Sequence, residues 1–311
     1  MSPSSLWAVT AYFNPMRYRS RQENFRIFRR RLSAPLLAIE LSFDGRFELG
    51  EDDADLVVRR VGGDILWQKE RLLNLGLASL PPECESVAFL DCDILFGRDD
   101  WNERACELLE RYPIVQPFSR ANYLRRDWSP ATDPSVGIEI TRHSAAFAIS
   151  LPQGGTALLQ GVNEHGRSLV SPGLAWVFRR DLIEEHGLYE GCIAGGGDFA
   201  LACAAWGVLD TVVRHQLMNA RQESFYLDWA QPFSAAVQGR VGCAEGDLFH
   251  LWHGSLGDRQ ARERHRALRR FEFNPFLDVA SDAGGCWRWS SDKLGLHAYL
   301  RNYFCARKED G

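Results

Sequence analysis

Apolar residues over the first hundred positions come in short continuous runs separated by polar, periodic stretches. Leu6 to Phe13, Leu36 to Phe43 and Asp55 to Val61 read as strands, and so does the run that begins at Val87. Between them lie an arginine-rich helix with Phe25, Phe28 and Leu32 at inward spacing, and a helix from Trp67 to Leu80 that Pro81-Pro82 stops. A further helix uses Ala105, Leu108, Leu109 and Tyr112, and Ile114 to Phe118 returns as a strand. This alternation predicts an α/β fold with a mostly parallel sheet covered by helices, whose strands are apolar on both faces. From about 119 to 170 the pattern weakens into Pro, Gly, Ser and polar residues, which predicts long loops that bind something. Order resumes with a strand at Gly173 to Phe178, an Asp181-capped helix, and a glycine-rich turn opening a helix with Phe199, Ala202, Cys203 and Trp206 on one face. After about 240 the chain is less periodic, and Arg307-Lys308-Glu309-Asp310 reads as a frayed tail.

The 311 residues suffice for one large domain or two intimate ones, and 45% hydrophobic with 25% charged residues is ordinary for a soluble globular protein. The net charge of −5 argues against a general nucleic-acid binder. No run has the apolar length of a bilayer span, and Met1-Ser2-Pro3-Ser4-Ser5 lacks the charged start of a signal peptide. The eight cysteines are scattered without a Cys-x-x-Cys pair, and no Asn-x-Ser/Thr sequon occurs. Together these point to reduced thiols and a cytoplasmic setting.

Chemistry concentrates in three places. Val87-Ala88-Phe89-Leu90-Asp91-Cys92-Asp93-Ile94 puts two carboxylates at the end of a buried strand, where ligands of open α/β sheets bind. Their desolvation needs compensation, and two hard oxygen ligands suit Mg²⁺ or Mn²⁺ on a diphosphate; the plainer reading is a helix cap. Gly195-Gly196-Gly197-Asp198 sets a carboxylate at a helix start behind more glycines than a cap requires. His250 and His253 stand three apart beside Gly254, either as packed residues or as ligands that favour Mn²⁺ over Mg²⁺. Two arginine runs, Arg17 to Arg31 and Arg262 to Arg270, read as solvated helix faces, as phosphate contacts (Arg17, Arg19) or as a basic surface for an anionic membrane. No Gly-x-Gly-x-x-Gly and no Gly-Lys-Ser/Thr loop is present.

In this order and spacing the residues resemble a glycosyltransferase of the GT-A fold, similar to family 2 and to the galactosyltransferase C-terminal region. The resemblance implies that Asp91 and Asp93 form a DxD motif, with His253, or else His250, as a further ligand of Mn²⁺ or Mg²⁺. It implies a nucleotide-sugar donor, expected to be a UDP-sugar, held by Asn14, Glu40, Lys69, Asp91, Gly196 and Gly197, with Glu40 or Asp44 at the uracil. Trp67-Gln68-Lys69-Glu70 and Asn74 look like the helix beside the donor. Asp198 matches the base that activates the acceptor hydroxyl, although Gly-Gly-Gly-Asp-Phe departs from the frequent Glu-Asp pair; Asp133 and Glu164 are the next carboxylates to try. The expected enzyme is an inverting hexosyltransferase or N-acetylhexosaminyltransferase acting on a glycan, lipid-linked or protein acceptor. Residues 1–118 would be the donor half, and 119–311 the acceptor and base half, with the metal histidine and a helical tail. Two competitors are a haloacid-dehalogenase-type phosphohydrolase, whose first motif also resembles Phe-Leu-Asp-Cys-Asp, and a non-catalytic sugar-binding protein. Against the first, about three βα elements precede the motif and the second Asp pair is missing.

Overall fold

A computed structural model describes residues 5–159, 161, 169–260 and 263–311. Arg262 and Glu164 lie outside the described residues. The first elements are β1 (Leu6–Phe13), α1 (Arg19–Arg31), β2 (Leu36–Ser42), β3 (Leu56–Val61), α2 (Lys69–Leu77), β4 (Ser86–Leu90), β5 (Ile94–Phe96) and α3 (Trp101–Leu109). Next come β6 (Ile114–Gln116), β7 (Arg120–Leu124), β8 (Ile138–Ser144), α4 (Ala145–Ser150), β9 (Val170–Ser171), β10 (Ala175–Arg179), α5 (Arg180–His186) and α6 (Gly197–Ala205). The remainder is α7 (Leu209–His215), α8 (Ala220–Val237), β11 (Val241–Cys243), β12 (Asp247–His250), α9 (Glu263–Arg269), β13 (Val279–Ser281), β14 (Trp287–Trp289) and α10 (Leu294–Ala306).

Seven strands form the main sheet in the order β11-β6-β10-β4-β1-β2-β3. All neighbours are parallel except β10, which runs antiparallel to both β4 and β6. The α/β class read from the continuous apolar runs is therefore the class observed. In β1, Leu6, Ala8 and Tyr12 meet Phe25 and Phe28 of α1 on one face. Val9, Ala11 and Phe13 meet Leu72, Leu73 and Leu77 of α2 on the other. Burying both faces is what removes any period-2 polarity from the strand.

The expectation of long loops over 119–170 is corrected. A second sheet, β5-β12-β7-β8-β9, takes most of its strands from this region. In β8 half-buried and exposed residues alternate, so its apolar residues stand singly and leave no run to read. Its partner β7 is held by β12, more than a hundred residues later in the chain. The frayed-tail expectation is also corrected, because Arg307 and Glu309 are only 4% and 1% exposed. They pair with each other at 2.5 Å, and Arg21 joins Glu309 at 2.6 Å, so the charges satisfy one another inside the fold. No helix among the described residues is long and apolar enough to cross a membrane.

Candidate functional site

The chain leaves the main sheet at Leu90, turns through Asp91-Cys92-Asp93, and enters the second sheet at Ile94. Asp91 stays with the main sheet, its N–H donating to the Leu174 carbonyl at 2.9 Å. Asp93 belongs to the second sheet, where its carbonyl accepts the Leu251 N–H at 2.8 Å. The carboxylates consequently face different partners.

Asp91 meets Lys69 from the first turn of α2, with Nζ to Oδ1 at 3.0 Å. The same ammonium reaches both oxygens of Asp198 at 2.8 and 2.9 Å. Burial opposes the charge on Lys69, but Asp198 and Asp91 outweigh it and keep the ammonium well above its ordinary range. Burial lifts the Asp91 carboxyl to about 6 against the pull of Lys69. Beneath lies Glu70, 5% exposed, lifted to about 7 by burial with Lys69 opposing, and with no hydrogen bond to its buried Oε1. Gly195 and Gly196 take φ of +82° and +104°, the left-handed region that starts α6 at this point. At Gly197 a Cβ would collide with the Glu70 carboxylate, and at Gly173 one would crowd Asp198. Glycine at these positions lets α6 bring Asp198 to Lys69.

Asp93, His250 and His253 form a second cluster, one ligand atom from each lying within 4.8 Å of the others. His253 Nε2 is 3.0 Å from Asp93 Oδ2, His250 Nε2 is 3.8 Å from Oδ1, and the two Nε2 atoms are 3.3 Å apart. His250 arrives because β12 pairs antiparallel with β5, setting it opposite Ile94. Burial lowers His250 to about 3 in spite of Asp93, which leaves the ring neutral at ordinary pH. Burial raises the Asp93 carboxyl, but His253 and His250 hold it far below the usual carboxylate range. Arg259 Nη2 stands 3.0 Å from His253 Nε2. That nitrogen thus stands between a guanidinium, which can only donate, and the Asp93 carboxylate at 3.0 Å, which can only accept. Asp93 Oδ1 is buried with no hydrogen-bond partner. One carboxylate and two imidazole nitrogens converging on each other, one oxygen orphaned, fit a divalent cation that accepts N and O ligands, Mn²⁺ more readily than Mg²⁺.

The other residues expected at the donor are placed as follows. Asn14 ties the β1–α1 turn, bonding the Tyr18 N–H and carbonyl and donating to Glu48. Glu40, 2% exposed, accepts the N–H groups of Glu48 and Leu49. Asp44 is exposed and pairs with Arg17 at 2.6 Å. Asn74 clamps Leu188 and Glu190, and Asp133 caps a short turn through the Ser135 N–H. Arg17, Arg21 and Arg29 of the first arginine run pair with carboxylates. Sequence reasoning missed Arg259 and Glu309. No local pattern marks them, since their roles come from contacts with the turn after β12.

No family model and no curated protein matches this sequence. Among solved structures, the chain is similar to glucosyl-3-phosphoglycerate synthase of Mycobacterium tuberculosis with Mn²⁺, UDP and phosphoglyceric acid. That match has 13% identity, covers 92% of this chain and 86% of that one, and has a TM-score of 0.43. It is also similar to S. aureus TarS in complex with UDP-GlcNAc, at 8% identity, 81% of this chain, 59% of that one and a TM-score of 0.42. A third is a 4-diphosphocytidyl-2C-methyl-D-erythritol synthase of Anaerococcus prevotii, at 12% identity, 78% and 88% coverage and a TM-score of 0.34.

Proposed function

We propose that the protein is a GT-A-type glycosyltransferase that moves a sugar from a nucleotide-sugar, by expectation a UDP-sugar, to a hydroxyl acceptor with inversion. The observation that carries this reading is the meeting, at the carboxyl end of β4, of groups from four distant segments: Lys69, Asp91 with Asp93, Asp198, and His250 with His253. Asp93, His250 and His253 would hold the divalent cation, with Asp91 close by on Lys69. A bound Mn²⁺ or Mg²⁺ supplies Lewis-acid neutralisation of charge on a departing diphosphate. Lys69 fixes the Asp198 carboxylate by two contacts and, with Asp91, offers a polar floor on which the sugar can be oriented. Asp198, at the first turn of α6 and about one-third exposed, is the group that takes the acceptor's proton at a carboxylate oxygen. Residues 1–118 then serve the donor, and 119–311 the acceptor and the base. A glycan, a lipid-linked sugar or a protein side chain all offer a suitable hydroxyl. The experiment is incubation with UDP-sugars and Mn²⁺, measuring UDP release. Release that depends on both cation and acceptor is expected, and release of phosphate from a phosphomonoester instead would transfer the site to the phosphohydrolase reading.

A further inference from the structure

We propose that Glu309 is the positioning residue of His253, so that the segment 307–309 is part of the cation site. This rests on reading Asp93, His250 and His253 as that site. Asp93 Oδ2 at 3.0 Å would accept from an Nε2–H, but Arg259, also at 3.0 Å, donates to Nε2, and with that bond made a neutral His253 carries its proton on Nδ1. That nitrogen is buried without a hydrogen bond, and the carboxylate Oε1 of Glu309 stands 3.7 Å from it. The separation is a charge contact, and a small rotation of the ring would close it to a hydrogen bond. A carboxylate on the far nitrogen fixes the tautomer and aims the near lone pair at a cation.

Two independent features hold Glu309 there. Arg21 Nε donates to Oε2 at 2.6 Å while its Nη1 donates to the Phe13 carbonyl at 2.9 Å, which ties the carboxylate to the end of β1. Arg307 Nε donates to Oε1 at 2.5 Å, and its Nη1 reaches the Tyr303 hydroxyl of α10. The backbone of this segment also lies directly on the turn after His253. At Gly254, whose φ is +85°, a Cβ would fall 2.7 Å from the Arg307 carbonyl oxygen and 3.2 Å from the Glu309 Cα. The glycine beside His253 thus leaves room for the segment to cross. Asp310 next to it does a separate job, accepting the Ser20 and Arg19 N–H groups at the start of α1.

The test uses the full chain titrated calorimetrically with Mn²⁺ alone, together with ¹⁵N NMR of the histidine rings in the cation-free protein. Glu309→Gln should weaken Mn²⁺ binding by about 10- to 100-fold. Asp310→Asn should stay within about twofold of the parent, the range of a change outside the cation's surroundings. In the parent, His253 should be protonated on Nδ1. Unchanged affinity in Glu309→Gln overturns the proposal, and so does a His253 protonated on Nε2. If Glu309→Gln does not fold, the tautomer in the parent decides the matter by itself. A parent chain that binds no Mn²⁺ overturns both this proposal and the cation site. Mn²⁺ binding without sugar transfer overturns the transferase reading alone, and the contrast between Glu309→Gln and Asp310→Asn still decides the role of Glu309.

Discussion

Asp91 and Asp93 are separated by one residue and live in opposite electrostatic conditions. Around Asp91 the charge is answered within the protein, because the Lys69 ammonium bridges it to Asp198. Around Asp93 it is answered only in part, with two imidazole nitrogens close by, one orphaned oxygen and Arg259 as the cation at hand. The difference arises where the chain passes from one sheet to the other between the two residues. A pair of carboxylates at motif spacing need not share a ligand; which strand each belongs to decides what it meets.

The sharpest way to break this comparison is at the proposed base. Asp198→Asn keeps an isosteric group at the helix start, so cation affinity should be unchanged while transfer falls by roughly 10²–10⁴. Measuring both in one preparation checks it, and near-normal transfer would remove Asp198 as the base. The two aspartates should then separate under Mn²⁺ titration. Asp93→Asn should weaken binding by more than about 100-fold, beyond the range for outer groups, and Asp91→Asn by less than about tenfold. Equal losses would mean that the two carboxylates do share the ion.

Lys69→Met probes the satisfied side. Leaving Asp91 and Asp198 without their cation should cost about 2 kcal/mol in chemical denaturation, below the figure for a fully buried pair because Asp198 is partly open to solvent. No loss would show that solvent already screens the bridge. The smallest effect should come from Glu70→Gln. With its carboxyl raised to about 7 from an ordinary 4.5, Glu70 is protonated in the fold at pH 4 and mostly protonated when unfolded, so burial there costs almost nothing extra. Its contribution is complete below the ordinary glutamate range and fades as pH rises through 7. The Gln variant should therefore match the parent near pH 4 and exceed it by about 1–2 kcal/mol near pH 8. A gap that shrinks with rising pH would reverse the assignment.

Much of this was legible in the chain, for definable reasons. β1, β2 and β4 are continuous apolar runs because helices cover both faces, and Asp91, Asp93, Asp198 and the histidines stand at element ends where such chemistry collects. The second sheet was not legible because β7 and β8 owe their pairing to β12, and the apolar residues of β8 stand singly. Nor was the division between Asp91 and Asp93, since a change of sheet within three residues leaves no mark on composition. Arg307 and Glu309 looked solvated because each is charged, and only their mutual proximity to Arg21 makes burial affordable.

The closing of residues 303–310 onto the end of β1 has a consequence for how the molecule is made. Tyr18 donates to the Phe304 and Cys305 carbonyls, and Phe304 packs on Phe13 and Trp67, contacts that span most of the chain. Domains generally fold from the N-terminus during synthesis, so β1 to β4 can assemble early on the ribosome. The aromatic ledge at Phe13 and Trp67 stays bare until the final helix emerges. A nascent chain stalled before α10 would therefore carry a formed sheet with a sticky, unfinished rim, a natural handle for chaperones.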